Sequence, residues 1–405
     1  MSIFRAFQSR NYRFYFAGQS VSLIGTWMQR TAVYWLIYIQ THSTFMLGVA
    51  VFAAQFPSFL FSLIGGVVSD RYDRYRVLLF TQVASMVQAT LLFLLIFFFQ
   101  YAIWEILSLS IVLGLINAFD VPARQSMVYE MVDRKEDLAN AIALNSSMVN
   151  LARLIGPAIA GIVLEKFGAS TCFLLNSFSF MAVILSLLMM RLPKHIPHSS
   201  SKKVMRELKE GFDYLKRTPS IAFVILLLAC MSLLVLPYTT LLPVYAKVIF
   251  KGNASTFGYL NSFIGLGAIG GTFFLASLKP SVDLRKILFV NTIIFGTGLI
   301  LFSHTTYFPL ALFFAVLTGF GMMSQTTICN TIIQTTVSSD MRGRVISYFA
   351  MAFFGMQPLG SLFIGAVSKY IGTPATILSE GIAAIIIVLL FFRFLKKNNS
   401  PEKIH

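Results

Sequence analysis

The stretch "GGVVSDRYDRYRVLL", from Gly65 to Leu79, lies between two long apolar runs of the chain. Within seven of its residues it carries five charges that alternate between acid and base: Asp70, Arg71, Asp73, Arg74 and Arg76. Only 12% of the 405 residues are charged, so this density is unusual for the chain. Solubility explains one or two such charges but not their alternation. The stretch therefore indicates a specialised connection between two helices.

Apolar residues dominate the rest of the chain, which is 57% hydrophobic and has only 16 acidic residues. A soluble domain is about a quarter charged. The apolar runs are about 18–25 residues long, enough to cross a bilayer as helices, and they lack the alternation of barrel strands. We predict an all-α membrane protein with twelve transmembrane helices near residues 14–39, 46–68, 77–99, 103–122, 141–164, 171–191, 220–244, 256–278, 287–303, 308–332, 345–368 and 374–392.

The basic residues predict the orientation. With twelve spans, both termini and the even-numbered loops share one side, which holds 26 of the 32 Lys and Arg residues, against four on the other side. By the positive-inside rule both termini of this multi-pass membrane protein are cytoplasmic. The net charge of +16 is thus spread over loops rather than gathered in one patch, so the lipid bilayer is an expected partner and nucleic acid is not.

The longest cytoplasmic loop divides the spans into two groups of six. We expect an N-terminal bundle over residues 1–191, a cytoplasmic linker over 192–219 and a C-terminal bundle over 220–405. Within the linker, "VMRELKEGFDYLKRTP" places Val204, Leu208, Phe212 and Leu215 at helical spacing between charges. This spacing predicts a short amphipathic helix on the membrane surface.

The two groups of spans are related by an internal repeat. A shift of 204 residues aligns "GPAIAGIVLEKFG" (156–168) with "GSLFIGAVSKYIG" (360–372), with three glycines in register. A shift of 210 aligns "DRYR" (73–76) with "DLRK" (283–286). Two pseudo-symmetric six-helix bundles with a site at mid-membrane between them are typical of secondary transporters.

Several segments resemble one family. The stretch "GVVSDRYDRYR" (66–76) resembles the loop between the second and third helices of major facilitator superfamily transporters, and "RLIGPAIAG" (153–161) resembles their antiporter motif. The stretches "GTWMQ" (25–29), "FDVPARQSMVYEMVDRKEDLANAIALN" (119–145) and "DMRGRVIS" (340–347) resemble the drug and siderophore exporter branch that includes the enterobactin exporter.

The resemblance implies a cytoplasmic gate formed by Gly66, Asp70, Arg71, Arg74, Asp120, Arg342 and Arg344. Asp70 would sit against the positive N-terminal end of helix eleven, near Arg344, and Arg74 would pair with Asp120. Such contacts bias a two-state equilibrium. The alternative is that these charges only fix topology. In the second half, the corresponding stretch "KPSVDLRK" (279–286) lacks the glycine and the first acid. We therefore expect its gate contacts to be weaker.

The antiporter motif comprises Arg153, Gly156, Pro157 and Gly161. The glycines allow a facing backbone to approach, and the proline bends the helix. Close packing alone is the alternative explanation. Arg153 is buried in a span, where it has either a structural partner or a ligand role.

We predict a substrate cavity from polar residues inside the spans that line the cavity in this superfamily: Gln29, Arg30, Tyr34, Asn117, Tyr238, Thr239, Gln325, Thr326 and Asn330. An arginine within a membrane span is costly unless it faces water or a partner, so Arg30 is the first candidate. Such an array suits an amphipathic substrate with an anionic or chelating group. The alternative is that the polar residues on helices seven and ten only join helices to one another.

Taken with these residues, the resemblance implies a secondary active transporter of the bacterial inner (plasma) membrane, which exports a siderophore or drug by alternating access in antiport with protons. The candidates for proton coupling are Asp120 and Glu380, although the family places helix twelve at the periphery. An importer or a lysophospholipid flippase on the same fold is the alternative. We expect no enzyme activity, no cofactor and no metal, because no catalytic or phosphate-binding motif is present and the three cysteines lie in apolar runs. We expect the protein to act as a monomer that carries out efflux. If its substrates are drugs, we expect it to confer multidrug resistance.

Overall fold

The computed structural model describes residues 4–191, 204–279 and 282–397, in which every regular element is helical. The elements that matter here are α1 (Arg10–Thr41), α2 (Thr44–Arg71), α3 (Arg74–Phe98), α4 (Ile103–Met131), α5 (Leu138–Leu188), α6 (Val204–Arg217), α7 (Pro219–Ile249), α8 (Ala254–Ala276), α9 (Leu284–His304), α10 (Phe308–Thr336), α11 (Arg342–Ile371) and α12 (Thr373–Lys397). Among the described residues, ten helices are long and apolar enough to cross a membrane. The all-α membrane fold is confirmed.

The other two predicted spans are found in α1 and α5. Helix α1 is 32 residues long but less apolar, because it carries three arginines and several amides and hydroxyls. Helix α5 is 51 residues long and its backbone breaks at Gly168, so it contains two predicted spans. Most helices extend beyond the predicted limits, because backbone hydrogen bonding continues past the edge of the apolar run.

Two left-handed glycines replace loops that the sequence predicts. We expected connections over residues 165–170 and 369–373, but in each case the chain turns at a single glycine, Gly168 (φ 83°) or Gly372 (φ 82°). A side chain at such a φ is strained, so glycine is the residue these turns require. The matching geometry at two positions 204 residues apart supports the internal repeat.

The charged motif of each half also has the same local geometry. Asp73 precedes α3 and accepts a hydrogen bond from the Tyr75 amide at 3.0 Å, while Asp283 precedes α9 and accepts one from the Arg285 amide at 3.0 Å. An aspartate at this position satisfies a backbone donor that the helix leaves free. The repeat therefore preserves a helix cap.

Two membrane helices contain turns that are not α-helical. Helix α7 changes to a 3-10 turn over Leu236–Leu241, where Pro237 removes a donor, and to a π turn over Tyr245–Ile249. Helix α11 has a π turn over Met351–Gly355. Such turns release backbone groups and change the direction of side chains, which is why they are frequent at functional sites.

The chain divides into two compact units. Among the described residues, the first contains 4–42, 49–191 and 246–262, and the second contains 43–48, 204–245, 263–279 and 282–397. In the first unit, Tyr12, Tyr15 and Met127 belong to a buried apolar cluster. The predicted amphipathic helix is α6, whereas residues 192–203 of the predicted linker lie outside the described residues.

Candidate functional site

The opening motif forms an ion-pair cluster at the ends of α2, α3 and α4. Arg74 contacts Glu130 at 2.9 Å and Asp70 at 3.7 Å, and its Nε donates to the Ser69 carbonyl at 3.3 Å. The expected partner of Arg74 was Asp120, so this pairing differs from the prediction. The end of α4 brings Glu130 to the guanidinium, whereas Asp120 lies almost three turns earlier. Arg71 is exposed at the end of α2.

Asp120 is instead bound by a network of its own. Its side chain is buried and accepts hydrogen bonds from Thr81 Oγ1 at 2.9 Å and Gln82 Nε2 at 2.6 Å. Its second oxygen pairs with Arg124, one turn further along α4. Hydrogen bonds to a charged group are stronger than those between neutral groups. Asp120 therefore ties α3 to α4.

Neighbouring glycines of α2 differ in their surroundings. A Cβ at Gly65 would collide with the carbonyl of Ala118 in α4, whereas a Cβ at Gly66 would meet nothing within 4 Å. In this conformation Gly65, which the motif does not single out, allows the close approach of α2 to α4. Gly66 keeps its proposed gate role only as a prediction.

In the second unit, the gate arginines lie at the start of α11. Arg344 pairs with Glu210 of α6 at 2.9 Å, and Arg342 donates to the Val337 carbonyl at 3.4 Å. Hydrogen bonding from the Ser338 side chain holds the pKa of the nearby, fully exposed Asp340 below its ordinary value. Arg344 therefore connects the gate motif to the linker helix.

Helix α6 is docked on α11 by more than this ion pair. The Tyr348 hydroxyl donates to the Leu208 carbonyl at 2.9 Å, and the rings of Tyr348 and Phe212 stack with centroids 6.4 Å apart. Gly211 is buried against Arg344. The linker helix that we expected on the membrane surface thus packs on protein along this face.

Two arginines of the first unit meet at one indole ring. The guanidinium carbons of Arg30 in α1 and Arg153 in α5 lie 5.0 and 5.3 Å from the ring centroid of Trp27. Gly156 makes this possible, because a Cβ there would lie 2.5 Å from the Trp27 Cβ. Among the described residues, Arg30 has no carboxylate partner. The sequence analysis singled out each arginine because it lies inside a membrane span. Nothing in their spacing predicted that both would contact Trp27.

Other predicted cavity residues of the first unit have different surroundings. The Tyr34 hydroxyl is buried and has no hydrogen-bond partner among the described residues, and Asn117 is half-buried in α4. Gln29, in contrast, is fully engaged: its amide donates to Gln88 at 3.0 Å and accepts from Asn176 at 2.7 Å. Gln29 therefore joins α1 to α3 and α5, and we leave it out of the proposed ligand set.

The antiporter-motif helix has a close packing partner in the first unit. A Cβ at Gly161 would lie 2.8 Å from the Ala254 carbonyl, and Gly258 approaches the carbonyl of Pro157. The second unit repeats this contact, since a Cβ at Gly365 would lie 2.6 Å from the Thr44 carbonyl. These contacts account for the glycines by packing and leave the antiporter role as a prediction.

The predicted cavity residues of the second unit are mostly bound within their own helix. Thr326 donates to the Met322 carbonyl at 3.0 Å, and Asn330 accepts from Gln334 at 3.1 Å. Thr239 makes only a long contact with the Leu236 carbonyl at 3.5 Å, and Tyr238 packs edge-on against Phe295. Gln325 differs, because its buried amide has no hydrogen-bond partner among the described residues.

Comparisons with known proteins identify the family of the chain. The model of a family described as transmembrane secretion effectors matches residues 1–403. The staphyloferrin A transporter of Staphylococcus aureus (strain NCTC 8325 / PS 47) is 28% identical over 389 residues, which cover 94% of this chain and 95% of that protein. The multidrug efflux pump Tap of Mycolicibacterium fortuitum is 22% identical, with coverage of 91% and 92%.

The enterobactin exporter EntS of Escherichia coli O127:H6 (strain E2348/69 / EPEC) is 24% identical over 380 residues, covering 94% of this chain and 90% of that protein. The solved structure of the nucleoside transporter NupG superposes with a TM-score of 0.76 at 10% identity, and the match covers 94% of this chain and 98% of that one. At this identity the likeness shows the fold alone. The family and these relatives are transporters rather than enzymes. The chain belongs to the transmembrane secretion effector family of the major facilitator superfamily.

Proposed function

We propose that this transporter exports a small amphipathic molecule with an anionic, oxygen-rich group, such as a siderophore, by proton-coupled alternating access. The observation that carries the proposal is the convergence of Arg30 and Arg153 on Trp27. Two cations in one place inside membrane spans are costly unless an anion neutralises them. A siderophore binds ferric iron through anionic oxygen donors, so its charge fits this pair of guanidiniums.

The remaining ligand contacts are proposed from the other polar groups of the predicted cavity. Tyr34 and Gln325 have buried polar atoms that find no partner among the described residues, and Asn117, Tyr238, Thr239, Thr326 and Asn330 are further candidates. A buried polar group without a partner is destabilising, so a bound ligand would gain by satisfying it. The relatives named for staphyloferrin A and enterobactin favour a siderophore, and the multidrug pump favours a drug as the alternative substrate.

We place this protein as a monomer in the bacterial inner membrane, with both termini in the cytoplasm. The charge cluster around Arg74 and the pair formed by Arg344 then lie on the cytoplasmic side. Contacts of this kind hold one conformation until substrate or proton binding shifts the equilibrium. A reporter fused to the C-terminus, active only in the cytoplasm, tests the orientation.

The experiment compares metabolites inside cells and in spent medium for a deletion strain that carries the wild-type gene, Arg30→Gln or Arg10→Gln. Arg10 is a matched control because it also lies over an aromatic ring, Phe14, at 5.5 Å, but at the exposed start of α1. In the deletion strain we expect the substrate to disappear from the medium and to accumulate inside the cells. We expect Arg30→Gln to lower export by about tenfold or more, since a charged hydrogen bond contributes about 1.5–3 kcal/mol.

Two results would contradict the proposal. Normal export by Arg30→Gln, at the same protein level as Arg10→Gln, would remove the anion-binding role of the arginine pair. A compound that stays in the medium and is depleted inside the deletion strain would make the protein an importer. Turnover in vesicles with a pH gradient and no nucleotide tests the proton coupling directly.

A further inference from the structure

Glu380 carries a buried carboxyl group. It lies in α12, seven residues after Thr373, or about 10 Å along the helix axis. The residue is 1% exposed, and both carboxyl oxygens lack a partner among the described residues. This contrasts with Asp120, whose oxygens accept from Thr81, Gln82 and Arg124. The two buried acids considered for proton coupling therefore have opposite surroundings.

The internal repeat shows how unusual this carboxyl is. Gly168 and Gly372 have the same left-handed φ, and eight residues after each lie Asn176 and Glu380. In the first unit Asn176 donates to Gln29 at 2.7 Å and accepts from Ser179 at 2.9 Å. The equivalent position of the second unit thus carries an ionisable group where the first carries a satisfied amide. Packing at this position requires no acid.

The described surroundings of Glu380 are apolar and carry few charges. Gly381, next in sequence, packs against the Gly296 carbonyl and Ile300 of α9. The titratable group whose electrostatic interaction reaches Glu380 is Tyr245 of α7. Its hydroxyl donates to the Ser303 carbonyl at 3.3 Å, and its ring packs on Phe302.

The other titratable groups near this end of the neighbouring helices are Lys247 of α7, His304 of α9 and Lys369 of α11, and all three are exposed. None forms an ion pair with Glu380 in the described part of the chain. The described part of the chain therefore offers the carboxyl no cation and no strong donor. An ionised carboxylate is strongly disfavoured in such a site, whereas the protonated form is tolerated.

We propose that Glu380 is the proton-carrying residue of this transporter. It holds a proton on a carboxyl oxygen in the conformation described here and releases it to water, leaving a carboxylate, in a conformation that opens the contacts around Tyr245. A buried acid whose surroundings change with conformation is what proton coupling requires. On the proposed orientation Glu380 lies in the outer part of the bilayer, where protons enter an antiporter. This inference rests on the proposed function, because it concerns the coupling of the same transport cycle.

The experiment uses purified full-length protein in proteoliposomes, with staphyloferrin A, enterobactin and tetracycline as labelled probes. Two activities are compared for each probe: accumulation driven by a pH gradient, and exchange at equal pH on both sides. The variants are Glu380→Gln, which mimics the protonated form, and Glu105→Gln. Glu105 is the matched control, since it is a half-buried glutamate whose carboxylate accepts from the Ala102 amide, a bond that glutamine also makes.

We expect Glu380→Gln to keep exchange at the wild-type rate and to lose gradient-driven accumulation to the level of empty vesicles, while Glu105→Gln keeps both. Accumulation retained by Glu380→Gln would overturn the inference, and so would the loss of exchange together with accumulation. Should Glu380→Gln fail to reach the membrane, Glu380→Asp replaces it. A shifted pH dependence of accumulation then supports the inference, and an unchanged one overturns it.

Failure of the proposed function is a separate outcome. If the wild type neither accumulates nor exchanges any of the three probes, the proposed export of siderophores or drugs is wrong. Glu380 is then judged by infrared difference spectra of the wild type against Glu380→Gln. A protonated-carboxyl band at neutral pH, absent from the variant, supports the protonated state, and a carboxylate band in its place overturns it.

Discussion

Replacement of Asp120 by alanine tests whether the buried network between α3 and α4 stabilises the first unit. The substitution leaves Arg124 without its carboxylate partner and takes the acceptor from Thr81 and Gln82. Breaking a buried ion pair by removing one partner costs about 3–5 kcal/mol. Since each kcal/mol lowers the Tm of a unit of this size by about 2–4 °C, we expect Asp120→Ala to lower the Tm by roughly 6–20 °C.

The assay is thermal unfolding of the purified protein in detergent. Asp73→Ala is the control, because Asp73 is also an aspartate of this region but makes one helix-cap hydrogen bond at a more exposed position. Its loss costs about 1 kcal/mol. The double variant Asp120→Ala, Arg124→Ala should lose less than the sum of the two single variants, by about 0.5–3 kcal/mol, because it leaves no unpaired charge. A Tm for Asp120→Ala as high as that of Asp73→Ala would refute the reasoning.

Three further predictions concern packing, a buried amide and the linker helix. Gly65→Ala should lower the free energy of unfolding by about 1–3 kcal/mol, because the added Cβ collides with the α4 backbone. Gly66→Ala has open space around its Cβ and should be neutral or stabilising by up to about 1 kcal/mol. Thermal unfolding compares the two variants. Gln325→Leu should leave the Tm unchanged or raise it, because an apolar side chain replaces an unpaired buried amide, and should reduce transport of the substrate; an unaltered transport rate would remove Gln325 from the ligand set. Arg344→Ala should accelerate hydrogen exchange in α6, since the ion pair to Glu210 is lost, and equal exchange in both proteins would show that the aromatic stacking suffices.

The sequence predicted the membrane fold because bilayer thickness, span length and loop charge constrain a polytopic helical protein strongly. It also predicted the internal repeat, because the aligned glycines lie at positions where the backbone requires glycine. Gly168 and Gly372 show why, as both adopt a φ that other residues adopt only with strain.

The partners of the charged residues were harder to predict. Helical periodicity gives the face on which a residue lies, but not which neighbouring helix approaches that face or at what height. Arg74 was expected to pair with Asp120 and instead pairs with Glu130, because the end of α4 extends beyond the apolar run. One signal was available: Asp120 and Arg124 are four residues apart in a helix, a spacing that favours ion pairing.

The buried polar residues show the same limit in another form. Gln29 was assigned to the cavity because it neighbours Arg30, yet successive residues of a helix point in directions about 100° apart. The side chain of Gln29 consequently faces α3 and α5, where Gln88 and Asn176 engage it. A pattern that reports polarity alone does not distinguish an amide that joins helices from one that binds a ligand.

On the proposed orientation, the two left-handed glycines also determine where the protein is accessible from outside the cell. The chain reverses direction at Gly168 and at Gly372 within a single residue. Such short turns leave little backbone for an antibody to bind, for a protease to cleave or for an epitope tag to be inserted. The segments over 99–102 and 305–307, at the same end of their helices, are not helical and are longer than a single-residue turn. Surface labelling of living cells should therefore succeed at these two segments and fail at the glycine turns.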